Sequence, residues 1–205
     1  MRSRLALVLV LTLSHIGCGQ DAEVPEATSE AGWAKLPPEK DLVHFQEDNF
    51  GVRFSHSKAL STLYNPQDDA KSVGILSKGK LTGILSIRPA PTENVETFIE
   101  AGKNHLRKTY GASTVDYRLL KNQQGYSFHY LKAHFTKEGA GCVVEWFVHL
   151  RDRKKTPSDS PSDSGAYAFR FKYKKKHYEK VKLETRTVVD TFRIDDTAAR
   201  TRTPQ

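Results

Sequence analysis

The stretch from Gly125 to Arg151, GYSFHYLKAHFTKEGAGCVVEWFVHLR, limits the possible folds more than any other part of the chain. Two runs rich in β-branched and aromatic residues flank a Lys-Glu-Gly-Ala-Gly break, a pattern that predicts a β-hairpin. Side chains alternate faces along a strand, so one assumed pair fixes all the others. With Lys137 opposite Ala140, Phe135 meets Cys142, Ala133 meets Val144, Leu131 meets Trp146 and His129 meets Val148. That face is apolar enough to be a core, and it predicts full burial of Trp146. The other face carries Tyr126, Phe128, Tyr130 and Phe147 and sets Lys132 against Glu145 as an attractive cross-strand pair. The hairpin therefore reads as the middle of an antiparallel sheet.

The flanking sequence predicts short strands at Leu42 to Gln46 and Val52 to Ser55, then an irregular stretch from Ser57 to Asp69 with a helical turn at Ala59 to Tyr64. Strands follow at Ser72 to Ser77 and Thr82 to Arg88, joined by Lys78-Gly79-Lys80. Thr92 or Asn94 caps a helix reaching Tyr110, with Val95, Phe98, Ile99, Leu106 and Tyr110 on its apolar face and Gly111 as its stop. Ser113 to Lys121 is a strand, the hairpin comes next, and the Pro-Ser-Asp-Ser repeats of Thr156 to Gly165 form a low-complexity loop. Ala166 to Lys174 is a further strand, with Tyr167, Phe169, Phe171 and Tyr173 on one face and Arg170, Lys172 and Lys174 on the other. A last helix runs from Lys176 to Phe192 with Val181, Thr185, Val188 and Phe192 inward. The fold class expected is α+β, an antiparallel β-sheet flanked by helices.

The N-terminal segment assigns an address. Arg2 and Arg4, the nine apolar residues Leu5 to Leu13 and the exit Gly17-Cys18-Gly19 follow the order of an export signal, and the run is too short for a permanent membrane span. Ile16-Gly17-Cys18-Gly19 resembles the bacterial lipoprotein signal, which implies a lipid anchor on Cys18, although His15 stands where that signal has an aliphatic residue. An ordinary signal-peptidase cut after Gly19 fits the same residues. Residues 1–17 are thus the signal peptide, 18–41 a lipidated N-terminus and acidic linker, 42–194 the folded domain and 195–205 a polar tail. Trp33, within the linker, is either a chance apolar residue or a contact back onto the domain. Cys142 is the one other cysteine, so the domain holds no internal disulfide and Cys142 reads as a small buried hydrophobe.

Two short stretches carry a family resemblance. Phe50-Gly51-Val52-Arg53-Phe54 resembles the opening strand of the PsbP/DcrB-like family, and Val188-Val189-Asp190-Thr191-Phe192-Arg193-Ile194 resembles its closing helix. Ser57 replaces the family's proline and Thr191 its serine. The resemblance spans roughly residues 43–194 and implies a PsbP-like sandwich. That family includes extrinsic photosystem subunits, a Ran-binding factor and bacterial lipoproteins with no shared catalytic residues, so it implies no activity.

No residue pattern announces chemistry. The eight histidines form no His-x-His pair, no Cys-x-x-Cys occurs, no serine sits in Gly-x-Ser-x-Gly, and Lys78-Gly79-Lys80-Leu81-Thr82-Gly83 lacks phosphate-loop spacing. The expectation is no catalytic residue, no metal and no cofactor. Charge is the remaining signal. Of the net +8, Gly19 to Asp48 contributes two lysines against eight acids, which leaves +12 on residues 49–205 once Arg2 and Arg4 are set aside. Arg151, Arg153, Lys154, Lys155, Arg170, Lys172, Lys174, Lys175, Lys176, Lys180 and Lys182 are the candidates for an anionic partner: lipid, an acidic envelope polymer, an acidic protein or the chain's own acidic arm. The plain alternative is a solubilising face with lysines guarding a strand edge. Export argues against nucleic acid despite the interleaved aromatics. The expected function is a membrane-tethered, envelope-located, non-catalytic binding or accessory domain; the alternative is an exported hydrolase with dispersed catalytic residues.

Overall fold

The computed structural model describes residues 36–47, 51–64, 72–88, 94–151 and 165–195. The signal, Cys18, Trp33, Phe50, Arg153, Lys154, Lys155 and most of the Pro-Ser-Asp-Ser loop lie outside these residues. In chain order the strands are β1 (Leu42–Glu47), β2 (Val52–Ser57), β3 (Leu60–Leu63), β4 (Ser72–Ser77) and β5 (Lys80–Arg88). Then come helix α1 (Val95–Tyr110), β6 (Val115–Lys121), β7 (Ser127–Lys137), β8 (Ala140–Leu150), β9 (Ala166–Lys174), helix α2 (Tyr178–Asp190) and β10 (Arg193–Ile194). Seven strands form one antiparallel sheet in the order β3-β4-β5-β9-β8-β7-β6, and three form a second in the order β1-β2-β10. The α+β sandwich expected of the sequence is what the chain forms.

The hairpin β7–β8 adopts the register derived from alternation, with His129 opposite Val148, Leu131 opposite Trp146 and Lys137 opposite Ala140. Its two-residue turn places Glu138 and Gly139 at positive φ, the geometry that matches the strand twist in tight hairpins, and Lys78-Gly79 repeats it between β4 and β5. Asn94 caps α1 by accepting from Thr97 N at 2.8 Å, and Gly111 ends the helix in the left-handed region.

Both faces of the sheet are cores, where the sequence reading assigned only one. Phe128, Tyr130, Val143, Phe147, Tyr167, Phe169, Phe171 and Tyr173 pack under α2 and β2, joined by Phe54, Val188, Val189 and Phe192. On the opposite face Leu131, Ala133, Phe135, Cys142 and Val144 pack against Ile99 and Leu106 of α1. No residue of β3, β4, β5 or β9 belongs to that second core. It ends at Trp146, which is only partly buried and lies against the His105 ring at 5.2 Å. The expected full burial of Trp146 fails because α1 lies across β6 and β7 and leaves β9 open. Val95, expected inward, is 44 % exposed for a related reason: it stands on the first turn of α1, ahead of the part that meets the sheet.

Glu145 is the second correction. Its Cα partner is Lys132, but the carboxylate is fully buried and ion-paired with Arg186 of α2 at 3.1 Å. Tyr130 and Tyr178 both donate their hydroxyls to the same oxygen. Burial and the neighbouring Glu145 charge push both phenols well above the usual range. Lys132 instead holds its ammonium 4.7 Å from the centre of the Tyr178 ring.

Two smaller differences follow from tertiary pairing. Leu60–Leu63, expected as a helical turn, is the edge strand of the large sheet, paired with Leu60 opposite Ser77. The last helix begins at Tyr178, after a 3-10 turn at Lys175–His177. β10 pairs with β2, so the two ends of the domain meet. Thr191 Oγ1 accepts from Ser55 N at 2.8 Å and donates to Ser55 O at 3.0 Å. A hydroxyl serves there whether carried by serine or threonine. Gly51 sits at φ +60° with Asp195 O only 2.7 Å from where a Cβ would stand, so the β2–β10 junction excludes a side chain.

Candidate functional site

Strand pairing decides which of the eleven candidate cations share a neighbourhood. β8 and β9 run antiparallel with Cys142 opposite Lys174 and Leu150 opposite Ala166. Arg151 and Lys174, the partner of Cys142 nine residues away, therefore sit at opposite ends of the sheet, about 30 Å apart at the usual rise per strand residue. Arg170 and Lys172 point to the α1 side, because they stand opposite Trp146 and Val144. Lys180 and Lys182 belong to α2, which covers the other side. Arg170 and Lys172 are thus separated from Lys180 and Lys182 by the thickness of the sheet.

One end of the sheet is nonetheless strongly cationic. The row Phe135–Cys142–Lys174 runs across β7, β8 and β9, and the β7–β8 turn beside it carries Lys137. On the far side of β9, Gly83 pairs with Phe171, so the start of β5 at Lys80 and the adjoining Lys78 reach the same end. Lys175 and Lys176 leave β9 there. Lys78, Lys80, Lys137, Lys174, Lys175 and Lys176 are all exposed. A shallow depression of about 470 Å³, lined by Ala140, Gly141 and Lys174 to Lys176, lies in the middle of them.

Several acids stand among these lysines, including the exposed Glu39 and Asp41 where the chain enters. Glu138 lies 3.7 Å from Lys137. Burial raises the Glu184 carboxyl above its ordinary value, against the opposing pull of Lys180 and Lys78. Glu179 and Asp116 are exposed. The local field acts on His134, whose imidazole is lowered by burial first and then by the charges of Lys132 and Lys175. Lys172 flanks the pole with its ammonium over the rings of Tyr110 and Phe135, 5.5 and 5.4 Å from their centres.

Lys78, Lys80 and Lys137 were absent from the sequence-based candidates. The Lys-Gly-Lys turn was legible as a turn, but its position beside Lys174 follows from β5 pairing with β9, strands about 80 residues apart in sequence. The described chain also enters the domain at this end. Asp41 O accepts from Lys58 N at 3.3 Å, and Leu60, two residues on, is the partner of Ser77 beside Lys78.

Among the described residues no three His, Cys, Asp or Glu side chains converge as metal ligands would, and no helix is long and apolar enough to cross a membrane. The nearest approach to a nucleophile and base is His44 Nδ1 at 2.9 Å from Ser55 Oγ, an exposed pair without a carboxylate on the far ring nitrogen among the described residues.

No protein-family model matches the sequence, and no curated protein matches it. A solved structure with a similar chain is that of cyanobacterial PsbP (CyanoP) from Synechocystis sp. PCC 6803. It has 11 % identity and a TM-score of 0.47, covering 80 % of this chain and 99 % of that one.

Proposed function

We propose that the chain is an exported lipoprotein of a bacterial cell envelope, anchored through lipid on Cys18, whose folded domain docks on an anionic surface and catalyses no reaction. The observation that carries this reading is the convergence of exposed lysines from three separate chain reversals on one end of the sheet. A flat, open, cationic surface suits many weak contacts with a charged layer better than it suits the enclosure of a substrate. The entry of the chain at the same end supports the reading, because a tether leaving there turns the lysine pole toward the membrane. Each lysine near an anionic bilayer contributes about 1 kcal/mol before screening, so six act together where one alone would be weak.

Two experiments test this. Cys18→Ala, expressed in a bacterial host, moves the mature protein from the membrane to the soluble fraction; retention in the membrane at unchanged yield overturns the anchor. The second is co-sedimentation with phosphatidylglycerol-containing vesicles, comparing the parent with a variant carrying Gln at Lys78, Lys80, Lys137, Lys174, Lys175 and Lys176. The parent binds at low salt and loses binding as salt shortens the Debye length from ~10 Å at 0.1 M to ~3 Å at 1 M. Equal binding by parent and variant would reduce the pole to solubilising charge. Deleting residues 20–40 raises vesicle binding if the acidic arm competes for the pole.

A further inference from the structure

The outer face of the three-stranded sheet gathers a second set of polar groups, none of them a lysine of the pole. The register sets His44 of β1 opposite Ser55 of β2, and Arg193 of β10 opposite Arg53 of β2, so all four side chains share one side. Together with Phe45 and Phe54 they line a cleft of about 230 Å³. Two arginines placed directly across a strand pair repel each other. Asp195 is ion-paired with the Arg53 guanidinium. Arg193 is exposed and has no acid partner among the described residues. The buried Nε of Arg53 also lacks an acceptor among them, and a buried donor is costly to leave unmet.

We propose that this cleft binds a small organic carboxylate. Arg53 is paired with Asp195, so among the described residues of the cleft Arg193 is the cation without an acid partner, which matches a monoanion better than a phosphate dianion. A guanidinium presents paired donors that fit a carboxylate, and the Arg53–Asp195 pair is an instance of that contact on the same face. The Ser55 hydroxyl and the His44 ring, 2.9 Å apart, stand on the same side to complete the hydrogen bonding. Phe45 and Phe54 reach the cleft where β1 and β2 run beneath it, their stacked rings being turned to the opposite, buried side of the sheet. The site does not depend on the lysine pole.

The test is an NMR titration of the isotope-labelled full chain with three probes: benzoate, its neutral isostere benzamide, and inorganic phosphate. Benzoate gives saturable shifts at the His44, Ser55 and Arg193 amides, and benzamide binds at least tenfold more weakly. Arg193→Gln weakens benzoate binding at least tenfold without moving the melting temperature, and Arg193→Lys falls between the two. Linear, unsaturated shifts with benzoate would overturn the site. So would equal affinity for benzamide, or an Arg193→Gln variant that binds like the parent. Tighter binding of phosphate than of benzoate would overturn the carboxylate assignment.

Discussion

The two faces of the seven-stranded sheet are made from the same strands yet differ in what covers them. The face under α2 is closed: Phe128, Phe147, Phe169, Phe171 and Phe192 are fully buried there, and the acid beneath the helix, Glu145, is matched by Arg186 and two tyrosine hydroxyls. The face under α1 is closed only over β6, β7 and part of β8, and beyond Trp146 it gives way to Arg170 and Lys172. Stability is therefore concentrated on one face, while the other is free to carry charge at its margin. A cation on the closed face must be paired in a dry site, whereas one on the open face needs only water.

Removing a charge from the closed face has the largest effect. Glu145→Gln leaves Arg186 buried without its carboxylate and lowers stability by about 3–5 kcal/mol, measured by urea unfolding. Glu145→Met combined with Arg186→Met recovers most of that loss, because the site is then wholly apolar. A single variant within ~1 kcal/mol of the parent would mean that this face is wet and that the contrast between the faces is wrong.

Aromatic truncation gives the next contrast. Phe169→Ala on the closed face costs about 3–5 kcal/mol, while Trp146→Ala at the rim of the other face costs about 2, since Trp146 is already partly solvated. Equal losses would place Trp146 in a closed core after all.

Strand alternation made the hairpin legible to the residue, since period and turn are both local properties. The two-sided burial was not legible, because an aromatic face reads the same whether a helix covers it or solvent does. The fate of Glu145 depended on Arg186, about 40 residues away on α2, and a local reading paired it with its nearest cation, Lys132. Edge strand β3 was missed because Leu60–Leu63 has only four residues and owes its conformation to β4. The cationic candidates the structure describes are scattered as a surface. Arg151 went to one pole, Lys174, Lys175 and Lys176 to the other, and Lys180 and Lys182 to the helix behind. The arginine cleft had no sequence signal at all, because Arg53 and Arg193 meet only when the first and last strands pair.

Acidification compares the faces in another way. His149 on the closed side and His129 on the α1 side both have imidazoles held below the ordinary value of 6.5, chiefly by burial. The unfolded chain therefore binds more protons near that pH, so stability present above about pH 6.5 is lost as pH falls through the histidine range. Asp190 and Glu184, raised by burial, shift stability in the opposite sense, but in the lower carboxylate range. The melting temperature drops between pH 7.5 and 5.5, and His149→Gln flattens the drop more than His129→Gln. His149 is packed among Tyr126, Phe128, Tyr167 and Phe192 and bonded to Ser127 O at 2.9 Å, whereas His129 meets the half-buried Tyr117. A melting temperature that does not change with pH would remove burial as the cause.

The smallest effect on stability comes from the open face itself. Arg170 is exposed opposite Trp146, and the Lys172 ammonium stands over the rings of Tyr110 and Phe135. Arg170→Gln changes stability by less than about 0.5 kcal/mol, as surface substitutions do. Lys172→Gln costs slightly more, about 0.5–1 kcal/mol, through its loss of the ring contacts. Neither variant shifts the unfolding slope in urea, because neither alters the area buried. A loss above ~2 kcal/mol for either would show that the margin of the open face is part of a core, and would take these cations out of the set available to an anionic partner. Small losses together with weaker vesicle binding would place the recognition surface where the core ends, continuous with the lysines at the pole.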